Sequence, residues 1–285
     1  MINLMKQHVW MRLPGIYICL TVSMFIVHEA LYQHIEFIFS PFSGYATSIF
    51  FRFCNLLILI LFIQQFRQHC KGVSFAETTL VTSCDRRVLL GFGCLGMISL
   101  MFVAILLASL GLSEHTFTEF SAQNIIELLV LLLLSATFEQ TLINGVFLAT
   151  LLKKIRPRIA LLLTGALFCY LHLDNRGYSA LAAINTFLAG YLFGVIFLKT
   201  QSIWPAIAFH FGWNTSQSLL LGFNVSGNSV DSIVTTQLTG NALITGGYYG
   251  PEGSVLTTVV NLIVILALAN GMNFKKSQSS LYQAG

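Results

Sequence analysis

IIELLVLLLLSATFEQTLINGVFLATLL, residues 125–152, is the stretch whose reading decides the fold. A helix needs about 20 apolar residues to cross a hydrocarbon core. This run is longer, and it carries Glu139 within it. Working outward, comparable apolar runs lie near 14–37, 45–66, 88–111, 158–173, 179–199, 203–223 and 254–271. Only 9% of the 285 residues are charged and 55% are hydrophobic, whereas a soluble domain is about 25% charged. The pattern predicts an all-α polytopic membrane helix bundle of about eight transmembrane helices, with residues 1–285 forming a single integral membrane domain.

The placement of charge supports this count. Cytoplasmic loops are enriched in Lys and Arg. With both termini inside, the inner segments hold Lys6 and Arg12, then Arg67, Lys71, Arg86 and Arg87, then Lys153, Lys154, Arg156 and Arg158, then Lys199, Lys275 and Lys276. Arg176 alone falls in an outer loop, and Arg52 lies within a span. The expected location is a bacterial inner membrane, with both termini cytoplasmic. No basic stripe suggests nucleic acid, so membrane lipid is the expected surrounding partner. The six cysteines form no C-x-x-C pair and read as buried thiols. The segment 224–253 is rich in Gly, Ser, Thr and Asn and reads as an outer loop of turns. Gly190 and Gly194 form G-x-x-x-G, which permits close helix contact.

Ionisable side chains inside a bilayer are functional candidates by default. Glu139 lies in the fourth run, His172 ends the fifth, and His210 and Asn214 lie in the seventh. Counted from the nearest cytoplasmic flank, all four sit at a depth of roughly 13–21 Å. Spacing of four puts His210 and Asn214 on one helix face. A carboxylate and an imidazole can hold and deprotonate a water. A second imidazole and an amide can donate to a developing oxyanion. His28, Glu29, His34, Glu36 and Arg52 read as structural groups that pair with one another or line a cavity.

Phe168 to His172 spells F-x-x-x-H, and His210 to Asn214 spells H-x-x-x-N. With Glu139, these resemble the three motifs of the CPBP intramembrane proteases. That family is also called Abi or CAAX-protease-like, and it includes type II CAAX prenyl endopeptidases. The resemblance spans residues 125–270 as a catalytic core and takes in Gly250-Pro251-Glu252-Gly253. The family's first motif is E-E-x-x-x-R. Here Gln140 replaces the second glutamate and Asn144 the arginine, two neutral amides four residues apart where an ion pair could stand.

The resemblance implies an intramembrane endopeptidase in which Glu139, helped by His172, activates water while His210 and Asn214 stabilise the oxyanion. Its substrate would be a peptide or membrane-protein segment, prenylated where prenylated proteins exist. Glu139, His172 and His210 could also hold zinc or another divalent metal with one open position. Metal-free hydrolysis with no cofactor is preferred, because one carboxylate cannot readily serve as both ligand and sole base. Two other readings remain open at this point. One is an inactive scaffold of the same fold, in peptide-toxin immunity or protein sorting, which the altered first motif favours. The other is a proton-coupled transporter, although no inverted repeat is visible.

Overall fold

The computed structural model describes residues 45–69, 84–119, 121–230 and 232–274. The first expected span, 14–37, lies outside them, with His28, Glu29, His34 and Glu36. Each of the other seven expected spans meets a helix: α1 (Ala46–His69), α2 (Arg86–Ser109), α3 (Ala122–Gln140), α4 (Pro157–Tyr170), α5 (Ala180–Thr200), α6 (Trp204–Thr215) and α7 (Val255–Ala269). Two helices continue as wide π turns, α3 through Thr141–Leu148 and α6 through Ser216–Leu220. Ala149–Leu152 then completes α3 as a last α turn.

Local chemistry fixes where these helices begin. Side chains of Asp85, Ser121, Ser179 and Ser254 accept backbone N–H bonds at the starts of α2, α3, α5 and α7. Such caps satisfy donors that a helix cannot pair internally. Pro157 and Pro205 sit in the first turns of α4 and α6, where no N–H is needed.

Exposure is inverted relative to a soluble protein. Leu90 (69% exposed), Ile98 (63%) and Leu266 (68%) face outward, while Gln140, Asn144, Ser216, Gln217 and Ser218 are wholly buried. Contiguous exposed apolar surface around a polar interior is what lipid selects. By length and composition, Ala46–Gln64, Arg86–Ser109, Ala122–Leu152 and Ala180–Thr200 can cross a membrane, and Pro157–Tyr170 and Val255–Ala269 are shorter apolar helices. The sixth helix is central, packed by α2, α3 and α5. That position explains its polar sequence, since it has little lipid to face.

Small residues set the close contacts. An added Cβ at Gly190 would stand 2.5 Å from Phe168 Cβ and 3.1 Å from Gly165 Cα, so α5 and α4 touch nearly backbone to backbone. The expected role of Gly190 in packing is met there. A second close approach joins α2 to α6: a Cβ on Gly96 would lie 2.2 Å from Phe209 O, and one on Gly212 2.2 Å from Gly93 O.

The expected loop 224–253 holds a strand and so is more than a chain of turns. Strand β1 (Ser113–Phe117), between α2 and α3, pairs antiparallel with β2 (Val234–Leu238), in the register Ser113 to Leu238 and Phe117 to Val234. The architecture is the expected all-α helix bundle, with this two-stranded sheet as a small addition. Cys54, Cys84, Cys94 and Cys169 are free thiols; against the expectation of burial, Cys94 is exposed and the other three are half-buried.

Candidate active site

Glu139 and Gln140 end the regular part of α3, and the π turn begins at Thr141. His210 lies on the central helix opposite them. Its Nε2 is 4.0 Å from Glu139 Oε2, and its Nδ1 is 3.1 Å from Gln140 Nε2. Asn144 donates from Nδ2 to Gln140 Oε1 at 2.6 Å. The two amides expected on one helix face are therefore bonded to each other, and Gln140 extends the chain to His210. Glu139 Oε2 is buried and accepts no hydrogen bond. At 4.0 Å the Glu139–His210 pair is too long for a direct bond. An oxygen held at about 2.8 Å from each group would fit between them.

His172 sits just past α4, in a turn closed by its N–H to Cys169 O, rather than within the helix. Its Nδ1 lies 2.7 Å from Phe168 O. The Phe168 ring is 4.5 Å from the His172 ring and 6.3 Å from the His210 ring. Phe168 thus bridges the two imidazoles, and its carbonyl orients one of them. Phe193 of α5 stacks on His210 at 4.8 Å. Asn214 is buried, one turn beyond His210, and its side chain forms no hydrogen bond among the described residues.

His172 and His210 line one cavity of about 40 Å³, together with Asn185, Phe193, Trp213 and Glu252. That is room for a few waters at most. Glu139 and Asn214 do not line it. The site is therefore organised around His210, with the Glu139 carboxylate to one side and the cavity to the other. Among the described residues no group of three or more His, Cys, Asp or Glu side chains is placed to hold a metal ion.

Glu252 lines the cavity, although the sequence points to it only as part of a Gly-rich turn within the family resemblance and assigns it no role. It accepts from Trp213 Nε1 at 3.1 Å, from Ser226 N–H at 2.6 Å and from Ser226 Oγ at 2.7 Å. Asn185 of α5 donates to the carbonyls of Glu252 (2.6 Å) and Ser254 (2.8 Å). Gln217, on the π turn of α6, donates to Asn224 O at 2.6 Å. Gly250, at φ 91°, passes so close to Asn224 O that a Cβ would stand 2.2 Å from it. These bonds clamp the 224–253 segment over the cavity. Within this segment, burial and the Glu252 charge push the Tyr249 phenol well above its usual pKa. The available signal for Glu252 is a carboxylate between Pro251 and Gly253, close after Tyr249, in a loop otherwise poor in charge.

No curated protein and no solved structure matches the chain significantly. Residues 121–216, which hold Glu139, His172, His210 and Asn214, match the family model of Type II CAAX prenyl endopeptidase Rce1-like proteins, in keeping with the resemblance to CAAX-protease-like proteins carried by the same residues.

Proposed function

We propose that this chain is an intramembrane endopeptidase of the CAAX-protease type, acting on a peptide segment of a membrane-associated substrate. The observation that carries the reading is the meeting of Glu139 and His210, 4.0 Å apart, on helices distant in sequence. Buried acid and imidazole groups in a membrane interior are costly, and function is the default reason to keep them. The family match supports the same class of activity.

In the proposed reaction Glu139, assisted by His172, takes a proton from a water. The resulting hydroxide attacks the scissile carbonyl carbon, and the carbonyl oxygen becomes an oxyanion. His210 and Asn214 donate to that oxyanion. Collapse breaks the C–N bond, and the proton held by Glu139 passes to the departing amine. A site shut off from bulk water strengthens each of these contacts. No step requires a metal. The substrate would carry a prenyl group in a host that makes one, and the Lys153–Arg158 side would face the cytoplasm of a bacterial inner membrane.

The test is cleavage of pooled peptides, prenylated and unprenylated, by the protein in lipid vesicles. Glu139→Ala and His172→Ala, each shown to insert normally, should abolish cleavage. Cleavage that survives both substitutions would move the active site elsewhere. A pH gradient dissipated by the wild type and not by Glu139→Ala would favour proton-coupled transport instead.

A further inference from the structure

A neutral imidazole offers one N–H and one lone pair, and its neighbours decide which nitrogen holds which. For His172 the neighbour of Nδ1 is the Phe168 carbonyl, which can only accept. Nδ1 therefore holds the proton, and Nε2 is left with a lone pair. That is the tautomer of a base.

For His210 the neighbour is Gln140. Asn144 Nδ2 donates to Gln140 Oε1, which leaves the Gln140 N–H to donate to His210 Nδ1. Reversing both amides would put an unpaired NH₂ where buried Asn144 now has an unpaired Oδ1. Buried N–H groups are left orphaned less readily than carbonyl oxygens. Reversal would also aim a His210 lone pair, instead of an N–H, at the Glu139 carboxylate 4.0 Å away. Both considerations favour the same arrangement.

We propose that Gln140, backed by Asn144, fixes His210 as the Nε2–H tautomer, a standing neutral donor opposite in sense to His172. Gln140 acts through His210 and is a positioning residue. A carboxylate at position 140 would accept the Nδ1 proton, and Nε2 could then donate only from the imidazolium. The neutral pair in the first motif is thus a working alternative to charge rather than a sign of lost activity. The effect on rate rests on the endopeptidase reading; the tautomer does not.

The first experiment is solid-state NMR of protein labelled with ¹⁵N-histidine in lipid bilayers. His210 signals are identified by their loss in H210Q or, if that variant does not insert, by correlation to the Gln140 amide. The expected pattern is a lone-pair nitrogen at Nδ1 and an N–H at Nε2, with His172 the reverse. Gln140→Glu should protonate His210 Nδ1. A wild-type proton on Nδ1, or an unchanged pattern in Gln140→Glu, would overturn the proposal.

The second readout is rate. Gln140→Glu should lower kcat by about 10²–10³-fold, the cost of one lost oxyanion donor, with KM little changed. The deficit should shrink as pH falls, because the imidazolium restores the Nε2 donor. The titratable groups around His210 are Glu139, Glu252 and His172. A deficit equal at every pH would indicate a merely structural role. If the wild type cleaves nothing, the endopeptidase reading fails, and the tautomer is decided by the spectrum alone.

Discussion

Replacing Glu252 with alanine removes three acceptor contacts at once, to Trp213 Nε1 and to the N–H and hydroxyl of Ser226. Hydrogen bonds to a charged group contribute about 1.5–3 kcal/mol each, but the three do not add. Trp213 keeps a second acceptor, Gln217 Oε1 at 2.9 Å. Ser226 holds a φ of 48°, a left-handed conformation that costs a non-glycine residue about 1–2 kcal/mol and is relieved when the turn opens. The surviving loss is that of the two Ser226 bonds, less whatever water restores, or about 2–3 kcal/mol. Amide hydrogen exchange at Ser226 and Gly227, in lipid nanodiscs, reads this opening directly. Exchange should quicken by about 30- to 150-fold, since about 1.4 kcal/mol is tenfold. Amides in the middle of α5 should not change. Ser226 exchange within about threefold of wild type would refute the view that Glu252 holds the cover on the cavity.

Four other outcomes follow from the geometry. Asn214→Ala should lower kcat by about 10²–10³-fold with KM nearly unchanged, measured on the best cleaved peptide; an effect confined to KM would remove Asn214 from the oxyanion site. Chelators of divalent metals should leave the cleavage rate within about twofold of the untreated enzyme, because no step of the proposed hydrolysis needs an ion. Gly212→Ala should cost about 1–3 kcal/mol in thermal or chemical unfolding, because its Cβ would meet Gly93 O at 2.2 Å and push α2 away from α6, whereas Gly91→Ala, with nothing within 4 Å, should be near neutral. Tyr249 should ionise later than ordinary tyrosines, so the phenolate absorbance lost in Tyr249→Phe should appear well above about pH 10. Its folded pKa is raised, so its contribution to stability is present below that pH and fades as pH rises above it.

The helices were legible because lipid imposes a length and a polarity on every crossing. Hydropathy alone underrates α6, whose His210, Asn214, Ser216, Gln217 and Ser218 are buried among neighbouring helices. The apolar run at 203–223 still marks it, because Ile203, Trp204, Ile207, Phe209, Phe211 and Trp213 surround the polar positions. The sheet was not legible. Ser113–Phe117 and Val234–Leu238 are short, mixed in polarity and far apart in sequence. Nothing local requires either to be a strand. Gly190 announced its contact by a spaced partner in its own helix, but Gly96 and Gly212 make theirs across two helices, and no single-segment pattern reveals that. Among the site residues, Glu139 and His210 were visible as ionisable groups at one depth. His172 was visible by motif, though its place in a turn rather than a helix was not. Glu252 was hidden because a carboxylate in a loop is unremarkable until Trp213 and Ser226 are found to hold it.

The wide π turns beside Glu139 and after Asn214 have a consequence for how such a site can change over generations. A π turn accommodates one residue more than the α-helix it interrupts. Deleting a single residue between Thr141 and Leu148 would let α3 close into regular α geometry. Because the wide turn already absorbs its extra residue, Glu139 and Gln140 would keep facing His210 and Ala149–Leu152 would keep its packing. A deletion in the regular part of α3, before Glu139, has no such slack, and at about 3.6 residues per turn it would rotate the carboxylate by about 100° relative to the start of the helix. The bulge therefore works as a length buffer. It is the place where a lineage can gain or lose a single codon and still hold the carboxylate against the imidazole.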